Sequence, residues 1–160
     1  VLNEVLFGGR ASRLYERMVV ATEVATELRG WVSTFRDPGL YEVFLTARAP
    51  HGPEELLRDF DAEIANLKEE LVTEDELERA KARLELGLLQ SLDTAAGKAE
   101  QIGFYDTVLG DPRGAFAKLE AYRRVTRGQV RTAARRWLGA ASRTVVTVLP
   151  QATESAAVSA

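Results

Sequence analysis

The sequence predicts an α+β fold, and three observations carry the prediction. First, residues 24–35 and 40–49 alternate polar and apolar side chains around the turn Arg36-Asp37-Pro38-Gly39. Proline presets φ for such a turn and glycine accepts a positive φ, so the two runs read as an antiparallel pair. Second, residues 53–71, 73–92 and 126–138 carry apolar side chains at spacings of three and four. That spacing marks helices with one buried stripe. Third, residues 143–149, Arg-Thr-Val-Val-Thr-Val-Leu, form a β-patterned run closed by Pro150. A lone strand leaves its backbone donors unpaired, so this run is expected in the same sheet.

Residues 1–7 read as the end of a helix, with Val1, Leu2, Val5 and Leu6 apolar and Gly8-Gly9 as the stop. Ser12 is suited to cap a short helix whose Leu14 and Met18 face inward, with Val19 and Val20 extending the apolar face. Ala49-Pro50-His51-Gly52-Pro53 is a loop, and Pro53 fits a first helical turn. Leu56, Leu57, Phe60, Ile64, Leu67 and Leu71 line the helix that follows. Thr73 and Glu76 form a capping box, in which hydroxyl and carboxylate each satisfy a free backbone N–H. The helix it opens is expected to run past Ser91 towards Leu109, with Gly87, Gly97 and Gly103 as weak points or close-packing sites. Asp111-Pro112 opens a further helix with Phe116, Leu119 and Tyr122. Thr126 and Gln129 form a second capping box, ahead of Val130, Ala134, Trp137 and Leu138. Residues 1–150 read as one domain, and 151–160, small and aperiodic, as a disordered tail.

Composition narrows the function. The 160 residues carry a net charge of −3, and acids and bases alternate along the helices. Nothing electrostatic therefore points to nucleic acid or to an acidic membrane. Cysteine is absent, which excludes disulfides, thiolate metal sites and cysteine nucleophiles. One histidine, His51, cannot build a conventional zinc centre, which takes three or four ligands. No apolar run approaches the roughly 18 residues that span a bilayer. The chain starts at Val1 and is expected to be a piece of something longer.

Five segments then resemble a family. Gly8-Gly9-Arg10-Ala11-Ser12-Arg13-Leu14-Tyr15 is similar to the GGxxSRLY segment of pitrilysin/insulinase-type zinc metallopeptidases, the inverzincins, and Asp37-Pro38-Gly39-Leu40-Tyr41 to their DPGLF turn. The stretch from Val72 to Lys81 resembles their VTEEELERAK helix start, and Val125-Thr126-Arg127-Gly128-Gln129-Val130 resembles VTAEDV. Residues 143–150 resemble the closing RTVVTLVP strand. The five occur in the family's order and cover residues 1–150. The resemblance implies the C-terminal, non-zinc-binding domain of a two-domain unit. Its fold is a two-layer α/β sandwich of the LuxS/MPP kind, a mainly antiparallel sheet with helices packed on one face. It implies, too, that the first strand or strands of this domain precede Val1. Zinc would lie in the parent's N-terminal domain, on a His-x-x-Glu-His motif that does not occur here. Two such units would enclose an unfolded peptide.

The family often carries an Arg and a Tyr after the SRLY helix, reaching towards the peptide and the reaction oxyanion. Here those positions hold Val19 and Thr26. Neither replaces a charge or a phenol, so no catalytic or metal-binding residue is expected in this chain. Other candidates read more plainly. His51 is a surface-loop histidine, and Glu74, Asp75, Glu76 and Glu78 are a helix start favoured by the helix dipole. Trp31, Tyr41, Phe44 and Trp137 are read as core residues, with a peptide groove as the other possibility. Gly8-Gly9 lacks the lysine and preceding strand of a phosphate loop.

The leading expectation is thus a non-catalytic C-terminal domain of a bacterial, periplasmic or cytoplasmic, zinc endopeptidase. Its partners would be the parent's zinc domain, a second half-unit and the peptide. An inactive family member acting as an assembly scaffold is the alternative, and a plain helical interaction module the third.

Overall fold

The computed structural model describes residues 1–150. The chain is mostly helical around one two-stranded antiparallel sheet. Helix α1 (Leu2–Phe7) leads through Gly8-Gly9 into α2 (Arg13–Tyr15), which continues as a π-helical turn, Glu16–Ala21. Strands β1 (Ala25–Val32) and β2 (Tyr41–Ala47) follow. Then come α3 (Pro53–Glu69), α4 (Glu74–Ser91), α5 (Ala95–Leu109), α6 (Gly114–Arg124) and α7 (Arg127–Trp137).

The two strands pair antiparallel as expected, with Leu28 opposite Leu45, Gly30 opposite Val43 and Val32 opposite Tyr41. One face of the pair lies on α1 and α3. Leu28, Val43, Leu45 and Ala47 pack there against the core, and the Phe7 ring lies on Gly30. A β-carbon at Gly30 would meet that ring at 2.5 Å, so α1 crosses the sheet where a side chain is missing. The opposite face, with Glu27, Arg29, Trp31, Phe44 and Thr46, is exposed. Among the described residues, helices therefore cover the sheet on one side only.

Fully buried Leu6, Leu14, Met18, Leu67, Val72 and Val130 draw α1, α2, α3 and α7 into one core. Both capping boxes form. Thr73 N–H donates to Glu76 Oε2 at 2.7 Å, and Thr126 N–H to Gln129 Oε1 at 2.9 Å. The last turn of α3 leaves carbonyls without helical partners. Guanidinium groups of α7 fill the need: Arg135 Nε donates to the Lys68 carbonyl and Arg131 to that of Glu69.

Several expectations need correction, beginning with Ser12, which precedes α2 but makes no side-chain cap bond. The helix from Thr73 does not continue towards Leu109; it stops at Ser91, and Thr94 caps a new helix by accepting from Gly97 N–H at 3.0 Å. The reversal is tight: a β-carbon on Gly97 would stand 2.0 Å from the Ser91 carbonyl oxygen. Leu71 is not on the α3 stripe, because α3 ends at Glu69 and Val72 takes the buried place. Val20 leaves the apolar face, being 55% exposed, because the π turn holds one more residue than an α turn and rotates it outward. Lastly, residues 143–150 join no sheet; β1 and β2 pair only with each other, and the run makes no backbone ladder among the described residues. The stretch read as a disordered tail, 151–160, lies outside the described residues.

Candidate functional site

The two positions singled out by the family pattern lie on the most irregular backbone of the domain. Val19 is inside the π turn Glu16–Ala21, half-buried against the core. Glu23, two residues past the turn, has a φ of 53°, a left-handed conformation that costs a non-glycine residue about 1–2 kcal/mol. Thr26 then occupies a β-bulge: Ala25 pairs with Ala47 and Glu27 with Thr46, so Thr26 is the extra residue. Its side chain is exposed, and its hydroxyl donates to the Thr46 carbonyl at 3.4 Å.

Strand β2 holds this segment in place. Arg48 N–H donates to the Val24 carbonyl at 2.8 Å, and the Arg48 guanidinium meets Glu23 Oε2 at 3.0 Å. A π turn, a left-handed residue and a bulge in succession are costly, and such features gather where a protein must aim a side chain. Here the two aimed positions carry a methyl-bearing Val and a Thr hydroxyl. Neither offers a cation or a phenol.

Beside this segment lies the open face of the hairpin. Trp31 and Phe44 stack on it with ring centres 5.0 Å apart and 7° between planes, and the Arg29 guanidinium sits 5.2 Å from the Phe44 ring. Trp31 is 38% and Phe44 47% exposed, so the core reading of these two does not hold. The reason is strand parity: Arg29, Trp31, Phe44 and Thr46 share the face that α1 does not cover. Trp137 is also outside, 66% exposed, under the Arg136 guanidinium at 4.8 Å. Only Tyr41 points inward, where its hydroxyl donates to Asn3 Oδ1 at 3.1 Å and burial pushes the phenol pKa up.

The remaining candidates are kept apart. His51 Nδ1 lies 2.7 Å from Glu55 Oε2, one turn into α3. Of the acids at the start of α4, Glu74 meets Arg127 at 3.2 Å, Glu78 meets Lys81 at 2.8 Å and Glu76 meets Arg13. Among the described residues no three His, Asp or Glu side chains converge, so those present do not fit a zinc centre.

Sequence reasoning missed the clamp that holds the SRLY segment. Arg13 Nε donates to Glu76 Oε1 at 2.6 Å, a second guanidinium nitrogen to Glu76 Oε2 at 3.0 Å, and the third reaches Glu63 at 3.3 Å. Burial raises the Glu76 carboxyl, but the Arg13 and Thr73 hydrogen bonds outweigh it, and the net shift is downward. The same bonds raise Arg13. Arg13 and Glu76 each stood in a recognised motif; nothing local joined the two.

The described residues thus form an α+β domain whose irregular segment carries neither a cation nor a phenol at Val19 and Thr26. Residues 1–84 match the family model described as the peptidase M16 inactive domain, and the chain belongs to that family. It is 29% identical over 139 residues to an uncharacterized zinc protease of Streptomyces coelicolor, covering 87% of this chain and 30% of the relative. It is 33% identical over 97 residues to one from Rickettsia felis, covering 60% of this chain and 23% of the relative. The chain thus spans under a third of the length of these curated relatives. Among solved structures, the inactive peptidase domain of a zinc protease from Bordetella parapertussis superposes with a TM-score of 0.78 at 23% identity. That match covers 93% of this chain and 81% of the other. A protease from Helicobacter pylori gives 0.78 at 17% identity over 86% of this chain and 33% of that one. These two likenesses concern the fold.

Proposed function

We propose that this domain is a non-catalytic wall of a zinc endopeptidase's peptide chamber. The observation that carries this reading is the coincidence of costly backbone between Val19 and Thr26 with side chains, at those two positions, that can neither ionise nor donate strongly to an oxyanion. The backbone device for aiming two groups is retained, and the groups are not. In this reading zinc and its base reside in another domain of the longer protein. The open β1–β2 face, with Arg29, Trp31 and Phe44, borders the peptide, and apolar contact with rings is the chemistry it offers. Binding by such a face lowers the concentration needed for half-saturation and leaves the chemical step alone.

The test is kinetic. In the complete zinc protease, replacing Trp31 and Phe44 by Ala is expected to raise KM for an unfolded peptide severalfold with kcat held within about twofold. An unchanged KM removes the face from the chamber. A second reading, an inactive assembly subunit, draws on the same Val19 and Thr26; it predicts no zinc-dependent turnover from the complete protein and any partner it assembles with.

A further inference from the structure

The open face of the hairpin has a carboxylate without a cation and, beside it, an indole without one. Strand parity puts Glu42 on the same face as Phe44, and the register sets it directly opposite Trp31. Side chains so placed have β-carbons about 4.5–5.5 Å apart, so the carboxylate stands next to the indole. Glu42 is half-buried. The ion pairs of the hairpin join Glu27 to Arg29 at 3.7 Å and Arg48 to Glu23 at 3.0 Å, and among the described residues Glu42 pairs with no cation. Phe44 has the Arg29 guanidinium 5.2 Å from its ring centre. Trp31 stacks on Phe44 through one ring face and is 38% exposed. Among the described residues no guanidinium or ammonium lies over it, although indole is the strongest cation acceptor of the aromatic side chains. A cation brought to this place meets the ring quadrupole and a full negative charge together.

We propose that Trp31 and Glu42 form a subsite for an arginine side chain of the unfolded peptide. This subsite rests on the chamber reading of the face and adds a substrate class to it: peptides that carry arginine, and not apolar ones alone. Guanidinium fits both halves, since its plane stacks on an indole while its edge donates two parallel hydrogen bonds to a carboxylate. Lysine is a compact point charge without a planar fork, so it fits the place less well. Arg29 does not fill the subsite, because it stands over Phe44, one rung along the ladder, beside Glu27. The paired strands place three charged side chains on this face, Glu27, Arg29 and Glu42. The first two offset each other, and the charge left for a ligand to meet is negative.

Equilibrium binding to the complete protein, treated with a chelator so that nothing is cleaved, decides it. The probe is an unfolded neutral peptide in which one arginine, or its neutral isostere citrulline, is placed at each position in turn. At one position arginine is expected to bind about tenfold more tightly than citrulline. Glu42→Gln and Trp31→Leu are each expected to cut that preference to about threefold, and the two together to abolish it. Should a variant not fold, the wild-type preference is read against salt: it is expected to shrink as ionic strength rises, while citrulline binding holds. A preference at no position overturns the proposal, as does one indifferent to salt. So does a preference that survives both substitutions, which assigns the acid to another part of the protein. The chamber reading fails separately, by an unchanged KM when Trp31 and Phe44 are both Ala. If that double variant weakens arginine and citrulline peptides alike, the chamber stands and the subsite falls.

Discussion

Arg13 is the residue on which the shaped segment turns. It joins α2 to α3 through Glu63 and to α4 through Glu76, with the bidentate geometry that makes guanidinium–carboxylate pairs strong. Glu76 serves twice, since it also accepts from Thr73 N–H as half of the capping box. Glu76→Gln is therefore expected to destabilise the domain at neutral pH by about 1–3 kcal/mol, measured by urea denaturation. The pH dependence has a definite sign. The Glu76 carboxyl is lowered on folding, so its contribution is complete above the ordinary carboxylate value of about 4.3. It is lost as pH falls through the lowered value. The gap between wild type and Glu76→Gln is expected to close in acid; a gap that stays constant as the carboxyl is protonated means that its ion pair with Arg13 is not the cause. Both residues were visible in the sequence, one in SRLY and one in a capping box. Their contact was not, because spacing rules reach three or four positions and these two are 63 apart.

At the scale of elements, what is local was legible and what is tertiary was not. The capping boxes at Thr73 and Thr126 and the stripes of α3 and α7 depend on neighbours three or four residues away; the boxes form as read, and the stripes do except at Leu71 and Trp137, which are exposed. The antiparallel pairing of β1 and β2 followed from their alternation around one turn. The bulge at Thr26 and the π turn at Glu16–Ala21 add one residue each without any glycine or proline to announce them. The break between α4 and α5 was announced only weakly, by Gly97. Gly97→Ala forces its β-carbon onto the Ser91 carbonyl, so a loss of about 1–3 kcal/mol is expected, against well under 1 for Gly87→Ala, which meets nothing within 4 Å. Equal melting temperatures for the two variants would mean that the reversal is not held by close packing. The strand expected at 143–149 failed for a different reason. Its pattern is right, but a pattern does not supply the neighbour, and pairing is a non-local property.

For the whole molecule, the one-sided sheet decides the character of the domain. Among the described residues, helices fill one face, and the other carries a stacked Trp31–Phe44 pair under Arg29, beside the irregular backbone that holds Val19 and Thr26. The sequence foretold the family, and the family model and the fold bear that out. It also foretold Trp31, Phe44 and Trp137 in the core with Tyr41; Tyr41 is inside and the other three are exposed, for the two strand residues because parity alone does not say which face the helices will choose. On the proposed function, a domain so arranged lines a reaction chamber rather than carrying out the reaction. The most direct test is turnover of a quenched fluorescent peptide by the isolated 160-residue chain, with zinc supplied. The account predicts no rate above buffer, whereas hydrolysis that a chelator abolishes would contradict it.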